Sequence, residues 1–137
     1  MFLREDDVTR HLAEFLRKEH FDICSQAPGN KPGDDLVARS PEGSTLRIEA
    51  KGQGFTKAWK RGEIYQKVAP AVFNQLRSLC GSKKNGGKDV FGLAFPESTF
   101  YREYLDEALT EFLLGLGLLI FFVHEDGRVE VCGKLPA

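Results

Sequence analysis

Two carboxylates and an amine brought together on neighbouring strands can hold a divalent cation and handle phosphate chemistry. The stretch from Asp35 to Lys51 carries such a set. Thr45-Leu46-Arg47-Ile48-Glu49-Ala50-Lys51 alternates polar and apolar residues without a break, which is the period of a half-buried strand. Leu46, Ile48 and Ala50 then share one face, and Arg47, Glu49 and Lys51 the other. Asp35-Leu36-Val37-Ala38-Arg39 reads as the preceding strand, with Pro41-Glu42-Gly43 as the turn. If Gly43 takes the left-handed position of a three-residue turn, Ser40 opposes Ser44 and Asp35 falls opposite Glu49. Directly opposed residues have Cβ atoms roughly 4.5–5.5 Å apart. Opposed like charges weaken a sheet unless something offsets them. Mg²⁺, held by one or two carboxylates plus water and phosphate oxygens, would do so. Lys51 points into the same space, where it can hold a phosphate oxygen or lower the pKa of a nearby water. An isolated Glu-x-Lys is common and by itself merely lines a solvated sheet face. The upstream Gly33-Asp34-Asp35, the short turn and a basic segment that follows make this one different.

The elements that must position these groups can be read from the rest of the chain. Residues 4–19 have Val8, Leu12, Phe15 and Leu16 at helical spacing, with acids in the first turn, where the helix dipole favours them. Phe21 to Cys24 reads as a short strand and Gln26 to Gly33 as a loop. Gly52 to Lys60 is a loop whose glycines (Gly52, Gly54, then Gly62) allow it to move. A helix follows over 62–79, with Pro70 either kinking it or opening a fresh one. Lys83 to Lys88 reads as a basic loop, and Val90 to Phe95 as an apolar strand. Ser98 to Leu114 reads as one helix, with Ser98 among the capping candidates. Leu118 to Val123 is a fully buried strand by its unbroken apolar run, and Arg128 to Cys132 a last strand. Tyr101, Tyr104, Phe121 and Phe122 read as core. The expected class is α/β, a mixed sheet flanked by helices, in one domain spanning residues 1–137.

Length and composition agree with one globular domain. Eleven Phe with many Leu and Val must be buried, which excludes disorder as the main state. Three widely spaced cysteines (Cys24, Cys80, Cys132) with no close pair point to reduced thiols and a cytoplasmic setting. The N-terminus is acidic from its fifth residue, unlike a signal peptide. The apolar stretch from Leu113 to Val123 is too short for a membrane span. Net charge is −1, but it is unevenly spread. Residues 51–88 carry nine basic side chains and one acid, Glu63, and the remainder is correspondingly acidic. Such a segment can offer a positive surface to a polyanion. Trp59 lies among its basic residues and could stack on unpaired bases, whereas Tyr65 is expected to pack its helix onto the sheet. His11, His20 and His124 lack metal-ligand spacing.

Taken together, Gly33-Asp34-Asp35-Leu36-Val37-Ala38, the short hairpin and Ile48-Glu49-Ala50-Lys51-Gly52 resemble the PD-(D/E)XK, or restriction-endonuclease-like, nuclease superfamily. That family's αβββαβ core matches the element order of residues 4–95, and a C-terminal αββ extension would follow it. The resemblance implies that Asp35 and Glu49 bind Mg²⁺, with Mn²⁺ as substitute, and that Lys51 assists the attacking water in phosphodiester hydrolysis. It implies a third acid on the first helix, best matched by Glu5. It also implies a Gln near the substrate on the helix after the motif, Gln75, with Gln66 as the alternative. Asp34 stands where the pattern has Pro, so two adjacent acids compete. The apolar run that starts directly after Asp35 favours Asp35. The expected activity is that of an Mg²⁺-dependent endonuclease on DNA, with phosphate contacts from Lys57, Lys60, Arg61 and Lys67. The alternative is a nuclease-fold module that binds without cutting. Small size suggests a homodimer or a larger assembly that chooses the target, with no membrane partner.

Overall fold

A computed structural model describes residues 3–26, 34–53 and 61–137. The elements run α1 (Glu5–Lys18), β1 (Asp22–Gln26), β2 (Leu36–Arg39), β3 (Thr45–Ala50), α2 (Arg61–Lys84), β4 (Val90–Pro96), α3 (Thr99–Tyr104), α4 (Glu107–Leu116), β5 (Leu118–Val123) and β6 (Val129–Cys132). The strands form one six-stranded sheet in sequence order. β1, β2 and β3 pair antiparallel, β3, β4 and β5 parallel, and β6 returns antiparallel to β5. The αβββαβ order expected for residues 4–95 is present, and a mixed sheet flanked by helices is the architecture.

Period-two patterning sorts side chains to the two faces of this sheet. Leu46, Ile48, Ala94, Leu119, Phe121 and Val123 face α1, which contributes Val8, Leu12 and Leu16. Phe91, Leu93, Phe95, Leu118, Ile120 and Phe122 face α2, α3 and α4, which contribute Val68, Ala71, Leu79, Tyr101 and Leu113. β5 is buried at every residue, as strands covered on both faces must be.

The hairpin that carries the candidate chemistry has the expected register. Leu36 pairs with Ile48, Val37 with Arg47, Ala38 with Leu46 and Arg39 with Thr45. Gly43 sits at φ +94°, and the Ser40 hydroxyl accepts from the Ser44 amide at 2.8 Å, closing the turn.

Three expectations are corrected. The helix expected over 98–114 is two helices. The Asp106 carboxylate accepts from the Leu109 amide at 2.8 Å and starts α4 afresh, while the Ser98 hydroxyl caps α3 by accepting from Tyr101. The helix expected to end at Leu79 continues to Lys84, and Pro70 lies inside it without ending it. Val68 and Ala71 pack against the sheet on either side of that proline and hold both halves down. Tyr65 is not packed on the sheet. It is 57% exposed and meets the Tyr104 ring edge-on, with centroids 4.7 Å apart. Lys57, Trp59, Lys60 and the side chain of Arg61 lie outside the described residues. No helix among the described residues is long and apolar enough to cross a membrane.

Candidate active site

The site forms where the end of β3 meets the N-terminus of α1. Chain packing at this point is tight. The Lys51 amide donates to the Ala94 carbonyl at 2.9 Å, continuing the parallel ladder, and the Gln53 amide donates to the Leu3 carbonyl at 2.7 Å. Between them Gly52 presses against the helix start. A Cβ there would stand 2.1 Å from the Glu5 nitrogen and 2.4 Å from the Arg4 carbonyl carbon, both backbone atoms. The fully buried Tyr101 hydroxyl donates to the Gly52 carbonyl at 2.7 Å and holds the same segment from the other side. Asp7 accepts from the Arg4 amide at 3.0 Å, which begins α1 so that Glu5 is its first residue.

Asp35 stands just ahead of β2, and its backbone leaves the regular ladder. Its amide donates to the Ile48 carbonyl at 3.0 Å, while its Oδ2 accepts from the Ala50 amide at 2.7 Å. Asp35 is only 3% exposed. It lies close enough to Glu5 for a side-chain hydrogen bond, which favours the protonated form of Glu5 and the ionised form of Asp35. On the α2 side of the sheet, Glu49 meets Lys51, with Nζ 3.7 Å from Oε1. Glu5, Asp35, Glu49 and Lys51 therefore converge, although α1, β2 and β3 supply them separately.

The neighbouring acid Asp34 has a different partner. Arg47 donates to Asp34 at 3.2 Å and to Asp89 at 2.7 Å, so Asp34 braces the start of β2 while Asp35 turns into the cluster. Gln75 is buried and gives its amide nitrogen to the Gly92 carbonyl at 2.7 Å and the Arg47 carbonyl at 3.2 Å. It ties α2 to β3 and β4 beside the site, and both of these contacts are to backbone. Lys67 is exposed on α2.

All three carboxyls are pushed above their ordinary range. For Glu5 the largest cause is burial, followed by the charge of Asp35, and together they push it up to about 7 against the attraction of Lys51. Burial likewise raises Asp35, opposed by the Ala50 hydrogen bond and Lys51, and raises Glu49, opposed mainly by Lys51. Tyr101 is raised by burial and then by Glu5. For Glu5 the folded value is higher than the unfolded one. Its stabilising effect is complete below the ordinary carboxyl range and is lost as pH rises through about 7. Thermal stability is therefore expected to fall between about pH 5 and pH 8 more steeply in the wild type than in Glu5→Gln, as melting curves across that range would read. Equal slopes would remove Glu5 from the cluster. Tyr101→Phe is expected to cost about 1–2 kcal/mol in urea unfolding, because the Gly52 carbonyl loses its buried donor.

A second polar cluster escaped the sequence reading. Glu97, His124 and Glu130 each bring a ligand atom within 4.8 Å of one another, beside a cleft of about 870 Å³ that His11 also lines. Arg102 donates to Glu97 at 2.7 Å and pairs with Glu130, with its guanidinium 3.7 Å over the Phe122 ring. A guanidinium already balances both carboxylates, so the group is an ion-pair network that ties α3 to β6. These residues come from three separate strand ends, and no local spacing announces them.

No family model matches the chain, and no curated protein matches it. Solved structures do share its fold. An XisH family protein from Nostoc punctiforme PCC 73102 superposes with a TM-score of 0.55 at 15% identity, over 92% of this chain and 95% of that one. An FdxN element excision controlling factor protein from Anabaena variabilis superposes with a TM-score of 0.55 at 16% identity, over 90% of this chain and 96% of that one.

Proposed function

We propose that this protein is a divalent-cation-dependent phosphodiesterase acting on DNA. One observation supports this reading above the others: Glu5, Asp35 and Glu49 gather beside Lys51 at a single strand end, with every carboxyl raised. Like charges crowded into a partly buried space are stable only with a proton or a cation among them. The donor set is all oxygen, which suits Mg²⁺ or Mn²⁺. Asp35 and Glu49 would hold the ion, with Glu5 aiding them. Asp35 has capacity left to do so, because a carboxylate that accepts one backbone N–H keeps further lone pairs. When bound, the ion would supply a water of lowered pKa and neutralise charge on the phosphate.

The protein's own groups have separate tasks. Lys51 offers three donors on a flexible stem, enough to orient a water or hold a phosphate oxygen. Its ion pair with Glu49 aims it at the cluster. Gln75 sets the backbone beneath Glu49, as a positioning residue. Exposed Lys67 on α2, together with Lys57, Lys60 and Arg61, supplies phosphate contacts. The excision control named for one structural neighbour is an activity on a genetic element, which fits a DNA substrate.

The test is a plasmid-nicking assay. Wild type should nick supercoiled DNA with Mg²⁺ or Mn²⁺ and not with a chelator, and Asp35→Asn should be silent. Binding without cleavage under any divalent ion would overturn the enzyme reading. It would favour the second one, a nuclease-fold module that binds and does not cut. That alternative draws on one observation: the neighbour is named as a controlling factor, not as an enzyme.

A further inference from the structure

The outer surface of the helical layer carries large apolar side chains that the described residues do not cover. Phe73 on α2 is 62% exposed, and Phe112 and Leu116 on α4 are 64% and 40% exposed. The inward stripe of α2 is Val68, Ala71, Gln75 and Leu79, so Phe73, two residues from both Ala71 and Gln75, stands on the outward side. Phe112 and Leu116 are one turn apart and share an edge of α4. Large apolar side chains of this type are ordinarily buried, so their exposure together marks a contact surface.

Charge identifies the occupant. Arg77 and Lys84, seven residues apart, form an exposed basic stripe on α2. α4 carries the exposed acids Glu107 and Glu111, one turn apart, and no lysine or arginine. Among the described residues, no ion pair joins Arg77 or Glu111 to another group of the chain. One helical layer thus displays exposed basic groups beside Phe73 on α2 and exposed acidic groups beside Phe112 on α4.

The two helices also lie in matching register. Each leads into one of two neighbouring parallel strands, so they run in the same direction. Gly117, just past α4, lies against Leu79 and Lys83 of α2. Six residues back along each helix, about 9 Å at 1.5 Å per residue, Glu111 is level with the turns that carry Phe73 and Arg77. A two-fold axis parallel to the helices places α2 of one copy on α4 of the other while keeping these levels. Arg77 then faces Glu111 of the second copy, twice, around a centre of Phe73 and Phe112.

We propose that this face is the interface of a homodimer, with α2 of each copy seated on α4 of the other. The inference stands apart from the phosphodiesterase reading, since no residue of the cluster takes part. Sedimentation velocity on the full chain tests it. Wild type should sediment as a dimer. Arg77→Glu and Glu111→Arg should each weaken association about tenfold, and the double variant should recover most of it, as coupled charges do. Phe112→Asp should give folded monomer with an unchanged circular dichroism spectrum. A wild type that stays single at its highest soluble concentration would overturn the proposal. A dimer indifferent to the charge variants, or a double variant without recovery, would do so too. If wild type is single and Arg77→Glu weakens DNA binding, the basic stripe is a nucleic-acid contact instead.

Discussion

Lys51→Ala is expected to lower divalent-cation-dependent nicking by about a thousandfold while DNA binding changes by no more than about twofold. The asymmetry follows from where the amine sits. It is 3.7 Å from Glu49, with only a quarter of its side chain exposed, so it serves the carboxylate cluster and not the outer surface. In the proposed reading, the phosphate contacts that attract DNA would come from basic residues that the variant retains, among them exposed Lys67. Arginine at the same position is not expected to rescue, because a guanidinium is bulkier and planar and presents its donors in a fixed fork. The charge has a second effect. Lys51 opposes the upward shift of Glu5, Asp35 and Glu49. Without it, all three carboxyls hold their protons to higher pH, so the rise in melting temperature on adding Mn²⁺ should move to higher pH in the variant. Nicking that survives within about threefold of wild type would take Lys51 out of the chemistry. An unchanged pH profile of the Mn²⁺ effect would separate the amine from the carboxylates.

Gly52→Ala is expected to destabilise the protein by about 3 kcal/mol or more, one of the largest single-site losses available in this fold. The added methyl would meet Glu5 N at 2.1 Å, Arg4 C at 2.4 Å and Arg4 Cα at 2.9 Å. All three are main-chain atoms, so no side chain can rotate away and the start of α1 must lift off the end of β3. That movement would break the 2.7 Å bond from the Gln53 amide to the Leu3 carbonyl and carry Glu5 away from Asp35. The steeper pH dependence assigned to Glu5 should vanish in the same variant, linking a packing change to a change in the site. Gly81→Ala is the control. Nothing lies within 4 Å of its added methyl, and inside α2 alanine should stabilise by up to about 1 kcal/mol. Urea unfolding of the pair reads both. A Gly52→Ala protein within about 1 kcal/mol of wild type would mean that α1 and β3 are not in close contact there.

Much of the architecture is legible from local patterning. Period-two alternation marks β3 to within one residue of its observed end, the unbroken apolar run marks β5, and the length of the Pro41-Glu42-Gly43 turn sets the β2–β3 register. Asp35, Glu49 and Lys51 emerge from the same local reasoning, because a hairpin brings near neighbours in sequence together. Where two local preferences compete, the pattern misleads. An apolar spacing suggests one helix over 98–114, yet Asp106 is a strong N-cap and starts a second. Tyr65 has the type of a core residue, but the inward stripe of α2 belongs to Val68, Ala71, Gln75 and Leu79.

Other features were settled only by long-range packing. Glu5 reaches Asp35 because Gly52 lets one backbone pass against another. Tyr101 supports Gly52 from 49 residues away, and Arg102 joins Glu97 to Glu130 across three elements. The amino-acid order determined the strands, their faces and the hairpin, since periodicity and turn chemistry act over a few residues. The tertiary structure decided how Glu5 comes to Asp35, and which glycine permits the meeting, since those depend on contacts between segments far apart in the chain.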